Sequence, residues 1–437
     1  MLSEEQKMKR NKQHVTPVQI IALGFLIMMI IGTGLLLLPI SQREPDSISA
    51  ISAAFTAVSA VSTTGLTVVD TGGTFSTFGY VILAILIQIG GLGVTSIGAG
   101  LIAFSRRKMR MREQILVQEA LNYPTMKDVQ ALIRSVLITT ITVESICAAV
   151  GCIIFAQEFS FPAALGIAVF HSISTFNHAG FDVLGGLISY RDNIPLQLLT
   201  TAENILGGLG FYVIRDVIRN RRFSKFSLHT KVVLTTSSFL DISSTLLLKF
   251  TEGDSLPWIN ALFMGITART SGLSVADVGD YTNASLLLTC ILMYIGASPG
   301  STGGGVKVTT IFILMRTMFA YPSGKQPSAF HRRISAGNVQ QAMVVCSMFL
   351  GIVLIIVMTL CIMQPELPFL PLLFEVVSAF STVGLSTGIT SSVCNAGKVI
   401  LMLAMFGGRL GTLTVVSLWF RKQREGILLP EESISVG

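Results

Sequence analysis

Residues 373–387 read LFEVVSAFSTVGLST, and three other stretches follow the same plan: AFTAVSAVSTTGLT (54–67), VFHSISTFNHAGFD (169–182) and LFMGITARTSGLS (262–274). Each carries one glycine in register, at Gly65, Gly180, Gly272 and Gly384. An aromatic stands ten residues earlier at Phe55, Phe170 and Phe374, and nine earlier at Phe263 in the third copy. Leu66, Phe181, Leu273 and Leu385 follow the glycines, and Ser, Thr and Ala fill much of the space between. A helix crossing a bilayer needs about 20 apolar residues, so the aromatic-to-glycine portion is too short to span. The spacing predicts a half-helix followed by an extended strand. Non-helical backbone at membrane depth survives only where protein buries it or a water-filled cavity hydrates it. Four such segments predict a ring lining a pore. The other reading, four ordinary extracellular loops, calls for more polar sequence without a repeated spacing.

Working outward, each segment is flanked by long apolar runs. A first helix is expected at about 17–39, 130–156, 231–250 and 339–363. A second apolar segment is expected at about 78–104, 196–218, 284–316 and 398–420. Residues 13–42, 71–105, 281–306 and 334–365 carry no formal charge. The first apolar core, Val18 to Leu38, is longer than the roughly 7–15 residues of a secretory signal, which predicts a retained helix. The expected fold is all-α and polytopic, with four tandem helix–pore loop–helix repeats around a central pore. That is eight transmembrane helices plus four half-helices. The expected boundaries are a leading segment 1–16, repeats at 17–105, 130–218, 229–318 and 339–420, and a tail 421–437.

Composition agrees. Hydrophobic residues are 51 % of the 437, and charged residues 13 %, about half the ~25 % usual in soluble domains. This excludes a soluble enzyme and a disordered chain. The net charge is +7, and Lys and Arg gather at 7–12, 106–127, 215–231, 316–333 and 421–424. The alternate connections hold only Arg43, Arg191, Lys249 and Lys398. The positive-inside rule makes the first set, and both termini, cytoplasmic in a multi-pass cell-membrane protein. The clusters recur at membrane boundaries and lack interleaved aromatics, so nucleic acid is not an expected partner. The six cysteines form no CxxC and no Cys/His cluster, and read as small apolar residues rather than as a disulfide or metal set.

Extended segments suit pore lining because backbone carbonyls can replace the water shell of a monovalent cation. Glycine permits the backbone angles that turn carbonyls inward, and the C-terminal end of a half-helix favours positive charge. The candidate ion-binding residues, acting mainly through backbone carbonyls, are Thr63, Thr64, Gly65, His178, Ala179, Gly180, Thr270, Ser271, Gly272, Thr382, Val383 and Gly384. Ser381-Thr382-Val383-Gly384 resembles the Thr-Val-Gly of potassium-channel filters.

The second apolar segment of the third repeat is unlike its counterparts. Residues 295–307 read IGASPGSTGGGVK, which holds a proline and five glycines and cannot continue as a helix. A phosphate-binding loop needs GK[ST], and Val306 separates Gly305 from Lys307. The better reading is a gate lying across the pore, with Gly300, Gly303, Gly304, Gly305 and Lys307 as candidates. Arg409, inside Gly407-Gly408-Arg409-Leu410-Gly411, is a charge within a membrane segment and belongs to a cavity or a partner. Near the axis it raises the barrier to cations and donates to carbonyls of the 296–305 loop. The other reading pairs it with Glu144, Glu203 or Glu375. Gly90-Gly91-Leu92-Gly93 and Gly207-Gly208-Leu209-Gly210 match Gly407-Gly408 in position and read as close-packing points. Arg269 is expected to pair behind the third strand, and no partner is evident for Asp241. His171 and His178 lack company for a zinc site.

On these residues the chain resembles the membrane subunit of the Trk/Ktr/HKT superfamily of potassium transporters, closest to the bacterial Ktr type. The resemblance covers nearly the whole chain. It implies potassium as the substrate, with no cofactor in this chain. It implies selectivity for potassium over sodium because Gly65 is not serine. It also implies an intramembrane gate loop at 296–305, a matching arginine at Arg409, and a homodimer seated on a soluble ring of nucleotide-binding regulatory subunits. The basic loops at 106–112 and 219–225 suit docking or contact with membrane lipid equally. Two rival readings are a less selective sodium-conducting channel and a membrane-embedded enzyme. The second lacks a recurring catalytic constellation. A mere scaffold leaves the four glycines unexplained.

Overall fold

The computed structural model describes residues 16–45, 47–93, 111, 114 and 129–411. The first fifteen residues, the tail from 412 and most of the 94–128 stretch, with its expected docking loop at 106–112, lie outside that description. In chain order the described helices of ten or more residues are α1 (Pro17–Leu36), α2 (Ala50–Ser62), α3 (Thr77–Leu92), α4 (Val129–Phe155), α5 (Phe161–Phe176), α6 (Ile194–Gly208) and α7 (Phe211–Asn220). They continue as α8 (Leu228–Glu252), α9 (Trp258–Thr267), α10 (Asn283–Tyr294), α11 (Val308–Ala320), α12 (Ala336–Met363), α13 (Phe369–Ser381) and α14 (Asn395–Leu410). The described residues add a two-residue antiparallel pair, Ser328–Ala329 with Arg332–Arg333.

Four described helices are long and apolar enough to cross a membrane: Pro17–Leu36, Gln130–Phe155, Leu228–Ser255 and Ala336–Met363. They are the four first helices read from the sequence. Their starts are marked by hydroxyl caps at Thr16, Ser227 and Ser335, each accepting a backbone N–H of the first turn. Ile30, Ile153, Phe239 and Ile355 on these helices are all at least 63 % exposed. An outward apolar band of that kind is stable when lipid solvates it.

The short helices α2, α5, α9 and α13 carry the repeated aromatics inward. Phe55, Phe170, Phe263 and Phe374 are all buried. Each short helix packs against the long helix before it: α2 on α1, α5 on α4, α9 on α8, α13 on α12. The apolar segments that follow are more broken than expected. The second-copy segment stops at Gly208 and restarts at Phe211, with Gly210 at φ 86°. Gly93 and Gly411 end α3 and α14 with nearly the same angle, φ 83° and 85°. Positive φ disfavours a side chain at these positions.

Glycines also set how closely these helices approach the short ones. A Cβ on Gly90 would meet the carbonyl oxygen of Val61, one on Gly207 that of Phe176, and one on Gly408 that of Phe380. These carbonyls lie four residues before Gly65, Gly180 and Gly384 respectively. The register is therefore Gly90, Gly207 and Gly408, which corrects the matching of Gly407 and Gly408 with the glycine pairs. Arg409 takes the place that Gly91 and Gly208 hold in the first two copies.

A methyl group at Gly207 has to displace backbone, so Gly207→Ala is expected to cost about 1–3 kcal/mol. Gly351, in mid-α12, has nothing within 4 Å of an added Cβ. Gly351→Ala is expected to be neutral or to gain up to about 1 kcal/mol from helix propensity. Melting temperatures of the purified variants in detergent check both; equal behaviour of the two contradicts the packing account.

Candidate functional site

The site begins where the short helices end. In the first, second and fourth copies a non-glycine residue adopts the left-handed region, at Thr63 (φ 52°), His178 (φ 55°) and Thr382 (φ 51°). This turns the chain out of the helix and lets the next amide reach back. Thr64 N–H donates to Ser59 O at 2.9 Å, Ala179 N–H to Ser174 O at 2.8 Å, and Val383 N–H to Ser378 O at 3.0 Å. The glycine amide is then taken by a side chain, with Gly65 N–H on Ser59 Oγ and Gly384 N–H on Ser378 Oγ, both 3.0 Å.

The third copy solves the same problem differently. Its glycine stands nine rather than ten residues after the aromatic, and Thr270 is not left-handed. Thr270, Ser271 and Gly272 all donate their amides to Thr267 O, at 3.0 Å each.

All four glycines have positive φ, 91°, 70°, 66° and 99° in chain order. Their neighbours close a ring. A Cβ on Gly65 would lie 2.6 Å from Ala179 O. One on Gly180 would meet Ser271 O, one on Gly272 would meet Val383 O, and one on Gly384 would meet Thr64 O. Each glycine thus receives the carbonyl of the residue preceding the next copy's glycine, and the fourth copy returns to the first. Oxygens of like partial charge crowded in this way are favourable when a cation joins them.

A cavity of about 480 Å³ opens over the ring and is lined by all four glycines. Its wall also holds Asp70, Asp182 and Asp277 and, among the described residues, no lysine or arginine. Each aspartate organises its own loop. Asp70 accepts from Gly72 and Gly73 N–H, Asp182 from Leu184 and Gly186 N–H, and Asp277 from Gly279 N–H. Burial holds the Asp182 carboxyl above its ordinary pKa. The fourth copy has its carboxylate behind the wall: buried Glu375 accepts from Ser386 Oγ at 2.6 Å, Thr387 N–H at 2.9 Å and Thr390 Oγ1 at 2.7 Å. The three wall aspartates escaped the sequence reading. The signal available was an aspartate five residues after the glycine in copies one and three.

Below the ring lies the segment between α10 and α11. It is a loop, as its composition predicts. Its ends pair through Gly296 N–H to Val306 O at 3.0 Å and Val306 N–H to Tyr294 O at 3.1 Å. Its outer part is stitched to the α6–α7 break, with Ser298 N–H on Gly208 O (3.1 Å) and Phe211 N–H on Gly300 O (3.0 Å). Thr302 Oγ1 donates to Phe176 O at 2.9 Å. An added Cβ at Gly304 would meet Thr382 Oγ1 and Ser381 O, and one at Gly303 would lie 3.5 Å from Thr270 Cγ2. The loop therefore abuts the underside of the segments that follow the third and fourth short helices. Lys307 folds onto it, donating to Gly303 O at 2.6 Å.

Arg409 reaches the same place. It donates to Thr302 O at 2.6 Å, Thr63 Oγ1 at 2.9 Å, Gly91 O at 2.8 Å and Gly90 O. The alternative pairing with a glutamate is not what the structure has. Glu144 is taken by Gln88 and Asn177, Glu203 by Ser172, and Glu375 by the fourth loop. Arg269, expected to pair behind the third strand, and Asp241, for which no partner was evident, pair with each other. His171 bonds Thr200 Oγ1 at 2.8 Å, and the described residues hold no cluster of metal-ligating side chains. The buried His178 ring rests on Gly207 and Gly208.

Comparison with known proteins gives a consistent picture. The family profile described as "TrkH: Cation transport protein" matches residues 2–249 and 226–426. The chain is similar to the Ktr system potassium uptake protein B of Bacillus subtilis (strain 168), 37 % identical over 434 residues and covering 97 % of each chain. It is also similar to the potassium/sodium uptake protein NtpJ of Enterococcus hirae, 36 % identical over 98 % of this chain and 99 % of that one. Among solved structures, the potassium transporter TrkH of Vibrio parahaemolyticus matches with a TM-score of 0.73. That match covers 94 % of this chain and 86 % of the other at 19 % identity, a likeness of fold.

Arg409 makes charge-assisted bonds to backbone carbonyls of two segments and to the Thr63 hydroxyl, and bonds of that kind are worth about 1.5–3 kcal/mol. Arg409→Gln is therefore expected to speed amide exchange at Ser298 and Phe211 by about tenfold or more. Hydrogen-exchange mass spectrometry on the detergent-purified chain measures this, and unchanged protection contradicts the clamp.

Proposed function

Because this chain belongs to the TrkH family of cation transport proteins, we propose that it takes up potassium across the cell membrane. The family is one of ion transporters, not enzymes. In our reading Thr63–Gly65, His178–Gly180, Thr270–Gly272 and Thr382–Gly384 form a carbonyl filter, with four half-helices and eight crossings arranged around it. The observation that carries this reading is the closed ring of glycine-to-carbonyl contacts beneath one solvent cavity. Potassium enters the cavity, where Asp70, Asp182 and Asp277 raise the local cation concentration electrostatically. It then exchanges water for carbonyl oxygens in the ring. The glycine-rich loop with Gly300, Gly303, Gly304, Gly305 and Lys307 is the gate. Arg409 holds it and repels cations at the same level.

A soluble regulatory subunit moves that loop. The word "system" in the name of the Bacillus subtilis relative supports a multi-component assembly there. We place a nucleotide-binding ring on the cytoplasmic face, under a homodimer of this chain. Arg219, Arg221, Arg222 and Lys225, all exposed, are the described part of its docking surface or of a contact with anionic lipid. Both termini are cytoplasmic in this reading. The similarity to a potassium/sodium uptake protein favours one competitor, conduction of sodium as well as potassium.

Flux in proteoliposomes tests these points together. Rubidium or potassium uptake that exceeds sodium uptake supports the potassium reading; equal uptake favours the competitor, and none overturns transport. Gly→Ser at Gly65, Gly180, Gly272 or Gly384 forces a side chain against a carbonyl in the ring. Each change is expected to lower potassium-over-sodium discrimination at least severalfold. Parental discrimination in all four contradicts the filter. Removing Gly303–Gly305 is expected to raise flux per folded protein and weaken control by the partner. A folded deletion that conducts no faster than the parent contradicts the gate.

A further inference from the structure

The third copy departs from the others in two ways that meet at one residue. Its aromatic-to-glycine spacing is one residue shorter, and the loop between α10 and α11 abuts the underside of the ring. Arg269 stands between the two. It is 6 % exposed, and its guanidinium forms an ion pair with Asp241 of α8 through Nη1. Its Nη2 donates to Gly296 O at 3.5 Å, at the start of the loop. Its backbone precedes Thr270, Ser271 and Gly272, the segment whose three amides converge on Thr267 O. Nε has no hydrogen-bond partner among the described residues, and neither has Asn204 Oδ1. Both residues line a cavity of about 30 Å³ together with Asp241, Thr270 and Ala297. That is room for one water, which needs two to four polar neighbours of this kind. The amide of Asn204 meanwhile donates to Ser271 Oγ at 2.8 Å.

A rigid fork with charge on every nitrogen is suited to holding two groups at fixed separation. Here one group is a carboxylate on a long helix and the other is the first peptide of the loop. The fork itself is anchored on the third strand. We propose that Arg269, held by Asp241, is a positioning residue that couples the 296–305 loop to the third filter strand. Movement of Gly296 is transmitted through the guanidinium to Thr270–Gly272, so loop position and filter geometry change together. This rests on the gate and filter reading above.

Removing one partner of a buried pair leaves an uncompensated charge, whereas replacing both is often neutral for stability. The test therefore uses the neutral pair Asp241→Asn with Arg269→Gln, and separately Arg269→Lys, which keeps the charge but loses the fork. Hydrogen exchange on the purified full chain reads the coupling without relying on transport. Both variants are expected to exchange at least tenfold faster at Gly296–Ser298 and also at Thr270–Gly272, with Thr64 and Gly65 unchanged. Acceleration of only one of the two segments, or of neither, overturns the coupling. If neither variant folds, the chain lacking Gly303–Gly305 decides: faster exchange at Thr270–Gly272 is expected, and unchanged exchange there overturns the proposal. In proteoliposomes the neutral pair is expected to show raised potassium flux and a lower potassium-over-sodium ratio, each at least threefold. Parental values for both in the folded variant also overturn it. A parent chain that carries no potassium is instead a failure of the transport reading, and the exchange result stands apart from it.

Discussion

A peptide group that leaves a helix inside an apolar slab has no water to turn to, so its donors and acceptors must be met by protein or by a hydrated cavity. The chain leaves its helices after α2, α5, α9 and α13 and again between α10 and α11. Protein groups meet each exit. The short helices turn back on Ser59, Ser174, Thr267 and Ser378. The loop after α10 is stitched to its own ends, to the α6–α7 break and to Arg409. The carbonyls of Thr64, Ala179, Ser271 and Val383 are the ones that meet the neighbouring glycines. The same rule that makes exposed backbone costly in lipid therefore identifies where backbone is exposed for use.

Much of this was legible in the residues because the controlling interactions are local. A short apolar helix that ends in hydroxyl and glycine residues can be read from spacing alone, as can a proline and five glycines that break α10 from α11. The long-range pairings were not legible. Arg269 and Asp241 are 28 residues apart, and nothing in the intervening sequence marks them as partners. Arg409 could be assigned to the loop or to any of three glutamates, since a buried cation accepts either kind of partner. The register of the glycine pairs was misjudged by one residue because adjacent glycines look alike in sequence. Only the carbonyls they face, Val61, Phe176 and Phe380, tell them apart. The aspartates of the outer cavity were missed for a related reason. Only two of the three share a spacing, and the fourth carboxylate, Glu375, sits on the helix before its glycine rather than in the loop after it.

Fourfold repetition here is a property of the backbone more than of the side chains. Ser59 and Ser378 cap their glycine amides in the same way, yet the residues before the glycines are Thr, Ala, Ser and Val. That tolerance is what contacts made by main-chain carbonyls permit. The side chains are then free to specialise: His178 lies against a pair of glycines, Arg269 reaches the loop, and Thr63 and Thr382 meet Arg409 and Gly304.

The contacts that close the ring also set an order of events during synthesis. Thr64 meets Gly384, and Arg409 reaches Gly90 across 319 residues of chain and Thr63 across 346. Contacts of such sequence separation form late, because a long loop must be closed before they return any free energy. A ribosome that has delivered three quarters of this protein has inserted helices with strong local structure, but the first and third strands still face an open edge. The nascent chain must carry that edge until α13 and α14 arrive. The fourth repeat is thus the keystone of assembly, and a chain stopped before it keeps its helices without a finished ring.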